Sequence, residues 1–163
     1  MQALQLETLH VAPVLREITL PAPARGELRL RVAACALNFA DLLMIDGRNQ
    51  EKPALPFTLG MDVAGVVDAT GEGREEWMGR RVVGMANQSL GGMAEHALCA
   101  TVFDAPPELD DVEAAAFTLP FHLGWLALHE RAGLQAGETV LVRSGASAVG
   151  TAWVMCLATA PAR

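Results

Sequence analysis

The residues whose spacing most clearly suggests chemistry lie near the end of the chain, where an apolar run at 139–143 precedes the turn Gly145-Ala-Ser-Ala-Val-Gly150. A dinucleotide-binding unit begins in this way, with an apolar strand, a tight turn of small residues and a helix start. The turn lets the backbone approach a pyrophosphate, and the helix N-terminus offers unpaired N–H groups and a positive dipole. The pattern therefore predicts a phosphate-binding turn.

The residues of this turn have distinct expected parts in phosphate binding. Ser147 offers a hydroxyl and a backbone N–H, while Ala148, Val149 and Gly150 offer N–H groups at the helix start. Gly150 also allows close packing of strand and helix. Because the turn lacks the full G-x-G-x-x-G spacing, an ordinary strand-to-helix turn stays open as the alternative. The candidate cofactor-binding residues are Gly145, Ala146, Ser147, Ala148, Val149 and Gly150.

The composition is that of a folded, acidic protein. Of its 163 residues 52% are apolar, and 12 basic against 19 acidic residues give a net charge of −7. This balance argues against nucleic acid or an anionic membrane surface as a partner. Cys35, Cys99 and Cys156 are widely spaced, which indicates thiols in a reducing compartment. Since the N-terminus has no signal-peptide pattern, we expect a cytoplasmic protein.

Residues 1–109 predict short strands separated by glycine and proline. The clearest strand covers residues 27–33, where Leu28, Leu30 and Val32 alternate with charged residues at a period of two. This alternation is typical of a strand with one buried face.

Further elements support a domain over residues 1–109. Residues 63–68 and 81–85 are strand candidates, and residues 38–45 have apolar positions at helical spacing. Many short strands with turn signals between them predict a barrel-like antiparallel domain.

The pattern becomes helical after residue 109, which predicts a second domain over residues 110–163. Asp110 and Asp111 place acidic residues at a helix start, ahead of strong helix formers. Pro120 is expected to break or kink that helix. A helical pattern then resumes, closes at Gly133 and leads into a strand at 139–143.

Six segments of the chain occur in the order and at the spacing of a known family. They resemble the zinc-independent quinone oxidoreductases of the medium-chain dehydrogenase/reductase superfamily. The resemblance covers almost the whole chain, but about the N-terminal half of a family member. It implies a mixed α and β fold, with a GroES-like β-barrel domain followed by the first β-α unit of a Rossmann (doubly wound parallel) domain. The segments are Ala36-Leu-Asn-Phe-Ala-Asp41, Leu55-Pro-Phe-Thr-Leu-Gly-Met-Asp-Val-Ala-Gly-Val-Val67, Gly79-Arg-Arg-Val-Val-Gly84, Gly91-Gly-Met-Ala-Glu95, Leu126-Ala-Leu-His-Glu-Arg-Ala-Gly-Leu134 and Gly137-Glu-Thr-Val-Leu-Val142.

Residue chemistry argues against zinc in this chain. Zinc alcohol dehydrogenases of the superfamily have a catalytic Cys where this chain resembles them at Asn38, and a His-Glu pair where it has Met61-Asp62. A neutral amide and a thioether are poor ligands for Zn²⁺, which prefers thiolate, imidazole or carboxylate. The sequence also has no group of four closely spaced cysteines for a structural zinc. We therefore expect no metal.

Without a metal, hydrogen bonds must polarise a carbonyl or quinone oxygen, and Asn38 is the candidate donor. Its amide could donate to a developing oxyanion or hold the nicotinamide ribose, whereas the alternative is that Asn38 only caps the following helix. Asp41 is the second catalytic candidate, as a charge in the substrate cleft or as a first-turn acid favoured by the helix dipole. Asp62 is expected to be a structural partner for the barrel backbone rather than an acid catalyst. The resemblance implies that the second proton can come from solvent, so no dedicated acid is needed.

The resemblance implies an NADPH-dependent, zinc-independent reductase of quinones or α,β-unsaturated carbonyls, with NADH as the alternative cofactor. An enoyl or alkenal double-bond reductase is the related alternative, and a non-catalytic barrel remnant is the alternative from another class. The implied partner is a small-molecule quinone or enone, with neither nucleic acid nor membrane involved. The resemblance also suggests a homodimer.

The chain departs from the family pattern at several positions. Leu123 stands where many relatives have a threonine that holds the nicotinamide, and Leu43 where an aromatic residue often lines the substrate cleft. Trp153 and Pro161 fit poorly in the segment after the turn. The residue that would select NAD or NADP is expected ~20 residues past the glycines, beyond Arg163. We therefore expect a truncated member of the family that by itself binds NADPH weakly or not at all.

Overall fold

The computed structural model describes residues 1–87 and 90–159. Pro161, expected to fit poorly, lies outside the described residues. The strands within them are β1 (Gln2–Leu6), β2 (Val14–Glu17), β3 (Leu28–Ala36), β4 (Phe57–Thr58), β5 (Asp62–Thr70), β6 (Arg81–Ala86) and β7 (His96–Asp104). The helices are α1 (Phe39–Ile45), α2 (Asp111–Trp125) and α3 (Ala148–Thr159), with a 3₁₀ turn at Glu75–Trp77 and a π-helical segment at Leu126–Arg131.

The chain divides into two compact units. The barrel unit is Met1–Ala116, and the helical unit is Phe117–Arg163. The domain boundary predicted after residue 109 lies just before α2 begins, and it stays a prediction.

Four strands of the barrel unit close into a ring. The antiparallel order is β3-β5-β6-β7, and β3 pairs with both β5 and β7. Leu28 and Leu30 are fully buried and Arg31 is exposed, so the alternation predicted for this strand is confirmed. The side chains at the centre of the ring are Leu28, Leu30, Val63, Val67, Val82, Ala97, Cys99 and Val102.

A second, smaller sheet belongs to the same unit. Its antiparallel order is β2-β1-β4, and its core joins Leu6, Phe57 and Leu59 to Met44 of α1. Packing against this cluster fixes α1, whose span of Phe39–Ile45 agrees with the helix predicted over residues 38–45.

The start of α2 packs on the outside of the ring. Ala114 and Ala115 bury against Ala64 and Val83 of the barrel. The Asp110 side chain accepts a hydrogen bond from the Glu113 N–H over 2.8 Å, and the Glu113 carboxylate accepts one from the Asp110 N–H over 3.1 Å. These reciprocal bonds confirm the acidic helix start, because they satisfy N–H groups that have no partner within the helix.

The helical unit differs from its predicted form at Pro120. Helix α2 continues through this residue to Trp125, and the π-helical segment follows without a break. A break at Pro120 was therefore a wrong prediction. The Gly133 backbone after the π-helical segment has φ +59°, as expected for a glycine that ends a helix. No helix in the described part of the chain has both the length and the apolar content needed to cross a bilayer.

The strand predicted at residues 139–143 is also corrected. Residues 139–142 have no regular secondary structure, and Leu141 is 85% exposed. A strand needs a neighbouring strand to accept and donate its backbone hydrogen bonds, and no such neighbour pairs with this run among the described residues. The turn and helix after it are present, with α3 beginning at Ala148.

The core position of Leu30 predicts a large cost for its truncation. Leu30→Ala is expected to lower the free energy of unfolding by about 2–5 kcal/mol, because it leaves a cavity among packed side chains. Leu15→Ala is the matched control, since Leu15 is also on a strand but is 62% exposed. Its expected cost is within about 0.5 kcal/mol. Urea unfolding measures both, and equal losses would contradict the position of Leu30 in the core.

Candidate active site

Asn38 lies at the junction between β3 and α1, with extended backbone angles of φ −110° and ψ 159°. Its backbone N–H donates to Oδ2 of Asp41 over 2.8 Å. Its side-chain Nδ2 donates to Oδ2 of Asp62, on β5, over 2.7 Å. Asn38 therefore occupies the helix-capping position, while its amide nitrogen is held by a different strand.

Asp41 is a buried carboxylate with both oxygens engaged. The residue is 2% exposed, and its Oδ1 accepts a hydrogen bond from the backbone N–H of Gly60 over 3.0 Å. Its Oδ2 is occupied by Asn38, so the carboxylate joins the start of α1 to the segment before β5. These bonds give Asp41 a part in holding the start of α1, and the catalytic role expected for it stays a prediction.

Gly60 is a part of this arrangement that the sequence reasoning missed. Its φ of +95° is a conformation that side chains disfavour, and a Cβ there would lie 2.7 Å from the Cys35 sulfur. The sequence did contain a signal for it, because Gly60 directly precedes Met61-Asp62 within residues 55–67, a segment that carries the family resemblance.

Asp62 differs from its expected role as a partner of the barrel backbone. Its side chain is bonded to the Asn38 amide, and the residue is 1% exposed. Its second oxygen, Oδ1, has no hydrogen-bond partner among the described residues. Burial raises the pKa of this carboxyl; the Asn38 hydrogen bond opposes that rise, and the charge of Asp41 adds to it.

Cys35 lies near the two carboxyl groups but is unsuited to nucleophilic chemistry. Burial raises the pKa of its thiol to about 12, and the charges of Asp41 and Asp62 contribute further. Since the thiolate is the reactive form, Cys35 stays inert near neutral pH. Across residues 1–87 and 90–159, no three His, Cys, Asp or Glu side chains group as ligands for a metal.

Exposed apolar side chains lie beside Asn38 in the sequence. Leu37 and Phe39 flank it, and Phe39 is 72% exposed; Leu42, one turn along α1, is also exposed. The start of α1 therefore presents exposed apolar side chains next to Asn38 in the chain.

The predicted phosphate-binding turn forms the start of α3. The Ser147 N–H donates to the Ser144 carbonyl over 2.9 Å, and the Gly150 N–H donates to Oγ of Ser147 over 3.0 Å. These two N–H groups are therefore engaged within the turn, and the predicted phosphate-binding role of residues 145–150 stays a prediction. In the described part of the chain, the N–H groups of Ala148 and Val149 have no partner.

Gly150 has a steric role within the turn, and its expected part in packing a strand on the helix stays a prediction. A Cβ at Gly150 would overlap the carbonyl oxygen of Ser144, whereas a Cβ at Gly145 would meet no atom within 4 Å. Trp153, expected to fit poorly, packs over Gly124, where a Cβ would lie 3.0 Å from its ring. The missing side chain of Gly124 therefore leaves room for the indole.

The family follows from a match over the barrel. The model of the alcohol dehydrogenase GroES-like domain matches residues 24–108, just over half of the chain. The chain belongs to this family. The matched stretch contains all four strands of the closed ring, so the predicted GroES-like barrel is confirmed.

Relatives of this GroES-like domain extend the match beyond the barrel. Quinone oxidoreductase of Sus scrofa is 38% identical over 139 residues, which cover 83% of this chain and 42% of that protein. The human synaptic vesicle membrane protein VAT-1 homolog-like protein is similar with a TM-score of 0.92 at 32% identity, over 99% of this chain and 53% of that one. The quinone oxidoreductase from Thermus thermophilus, described with its NADPH complex, gives a TM-score of 0.84 at 37% identity, over 97% of this chain and 50% of that one.

These relatives confirm the resemblance to quinone oxidoreductases. The chain spans less than half the length of the curated relatives it matches, 42% for the Sus scrofa protein.

The close approach at Gly150 predicts a large effect of a single methyl group. Gly150→Ala is expected to lower the stability of the helical unit by about 1–3 kcal/mol, because its Cβ would displace the Ser144 carbonyl. Gly145→Ala, in the same turn, is the matched control, with an expected change within about 0.5 kcal/mol. Hydrogen exchange of the α3 amides measures both variants. Equal protection in the two would show that the turn does not approach α3 as described.

The raised pKa of Asp62 predicts a pH-dependent cost. Protonation favours the folded state here, so the contribution of Asp62 to stability is present below its ordinary pKa of 3.8 and is lost as the pH rises through the raised value. Wild type should therefore lose stability relative to Asp62→Asn over that window. Urea unfolding at a series of pH values measures the difference. A difference that stays constant with pH would contradict the burial of an ionisable carboxyl at this position.

Proposed function

We propose that this chain carries the acceptor-binding part of a zinc-independent, NAD(P)H-dependent reductase of quinones or α,β-unsaturated carbonyls. The observation that carries the proposal is the Asn38 amide, held at 2.7 Å by Asp62 beside exposed apolar side chains. The quinone oxidoreductases of Sus scrofa and Thermus thermophilus support the acceptor class, and the NADPH complex of the latter supports the cofactor.

The first chemical requirement is to stabilise negative charge on the acceptor oxygen. A reduced nicotinamide, when bound, supplies a hydride to an electron-poor carbon of the acceptor. As that carbon gains the hydride, negative charge develops on the conjugated oxygen. One N–H of the Asn38 amide is bonded to Asp62, and the second remains to donate to this oxygen. A proton from solvent and tautomerisation then give the hydroquinone or the saturated carbonyl.

The second requirement is to hold the pyrophosphate of the cofactor. The turn before α3 fits this group, because the N–H groups of Ala148 and Val149 lack partners within the described residues. Gly150 keeps the backbone of the turn close to the helix start. The Ser147 hydroxyl can add a further donor while it accepts from Gly150. Backbone donors at a helix N-terminus suit a phosphate group.

The residues also support the chemistry without zinc. By the resemblance described above, Asn38 and Met61 stand where the zinc enzymes have a metal-binding cysteine and histidine, and neither side chain is a good zinc ligand.

The proposal is tested by quinone-dependent oxidation of NADPH, followed by the loss of NADPH fluorescence. Initial rates are measured over a series of quinone and NADPH concentrations. Asn38→Ala is expected to lower the rate about 10²–10³-fold, since one oxyanion donor is lost. Asn49→Ala is the control, because that amide donates to the Glu51 carbonyl on an exposed segment. A wild-type rate no higher than that of Asn38→Ala would overturn the proposal.

A further inference from the structure

Asn38 and Asp62 form a pair in which the chemistry of one member dictates the orientation of the other. An ionised carboxylate can only accept hydrogen bonds, whereas an amide has a donor end and an acceptor end. With Nδ2 at 2.7 Å from Oδ2 of Asp62, the amide has its donor end on the carboxylate. The reversed amide would bring its carbonyl oxygen against a carboxylate oxygen, where two acceptors repel.

Asp62 is itself held rigidly, which makes it suitable for fixing another side chain. It is the first residue of β5, where it pairs with Ala36 on β3 and with Met85 on β6. The residue is 1% exposed, so its carboxylate has little freedom to follow a moving partner.

The backbone of Asn38 is fixed independently of its side chain. Its N–H donates to Asp41, and Asp41 in turn accepts from the Gly60 N–H. Asp41 therefore fixes the backbone of Asn38, and Asp62 fixes the direction of its side-chain amide. A helix cap alone requires the first of these interactions but not the second.

We propose that Asp62 is a positioning residue, whose carboxylate takes one N–H of Asn38 and so holds the amide with its second N–H available to the acceptor oxygen. This inference rests on the function proposed above for Asn38. Asp62 does not contact the acceptor; it acts through the amide that does.

The cost of burying Asp62 supports a role beyond packing. Its Oδ1 has no partner among the described residues, and no ion pair to it forms there. The charged group that acts on it is Asp41 of α1, which is an anion, and the nearby Cys35 of β3 carries no positive charge either. A buried carboxylate with an unsatisfied oxygen destabilises the fold, whereas an apolar side chain would pack there without that cost.

The first test reads the orientation of the amide directly and needs neither cofactor nor turnover. In isotope-labelled protein, the Asn38 side-chain NH₂ signals are expected to show one proton shifted by the bond to Asp62. Asp62→Asn should move that signal, because an amide at position 62 accepts and donates and no longer imposes one orientation. Asp46→Asn, at the exposed C-terminal end of the same helix, is the matched control and should leave the signal in place. An unchanged Asn38 signal in Asp62→Asn would overturn the inference.

A second measurement covers the case in which Asp62→Asn does not fold. In wild type, the Asn38 NH₂ signal should follow the protonation of one carboxyl group as the pH is lowered, while the backbone N–H signal of Asn38 reports its separate bond to Asp41. An Asn38 NH₂ signal whose chemical shift does not change as the pH is lowered would also overturn the inference.

The kinetic test separates positioning from a purely structural role. With quinone and NADPH, Asp62→Asn is expected to lower kcat about 10- to 100-fold with little change in KM for the quinone, because misplacement of a donor affects the transition state. A rise in KM with kcat unchanged would contradict positioning. If wild type shows no turnover but the NMR signal still depends on Asp62, the function proposed for Asn38 is wrong. The orientation of the Asn38 amide by Asp62 is then still supported.

Discussion

The register of the β3–β5 ladder is the constraint on which the candidate site depends. Ala36 pairs with Asp62 at the end of this ladder, so Asn38, two residues past Ala36, comes within reach of the Asp62 carboxylate. Gly65 lets the strands approach, because a Cβ there would overlap the Arg31 carbonyl oxygen. A slip of one residue would turn the Asp62 side chain to the opposite face and separate the pair. The closure of the barrel thus fixes a contact between its wall and the start of α1.

The two buried carboxylates near Asn38 show different solutions to the cost of burial. Asp41 accepts one backbone N–H on each oxygen, so its charge is compensated by two oriented donors. Asp62 accepts a single side-chain donor and leaves its other oxygen unsatisfied. Because an unsatisfied buried acceptor costs free energy, the Asp41 arrangement stabilises the fold more effectively. The difference is consistent with the positioning role proposed for Asp62.

Sequence patterns predicted the elements that depend on near neighbours along the chain. The alternation around Leu28 and Leu30 and the acidic start of α2 are local, and both were confirmed. The bond between Asn38 and Asp62 spans 24 residues and depends on strand register, which no local pattern reports. The run at 139–143 shows the opposite case. It has the composition of a buried strand, yet a strand forms only beside a partner, and composition carries no information about that partner.

Ser147 explains how a helix cap and a phosphate contact can share one side chain. Its oxygen accepts from the Gly150 N–H, and because a hydroxyl also carries one donor, the O–H remains available. A phosphate at this helix start would meet that O–H together with the N–H groups of Ala148 and Val149, and the cap would stay intact. The Ser147 O–H would therefore supply to the phosphate the donor that is lost when the Gly150 N–H bonds to Ser147 Oγ. A turn with fewer glycines than the G-x-G-x-x-G pattern can in this way keep its number of donors, provided that Gly150 still allows the close approach to Ser144.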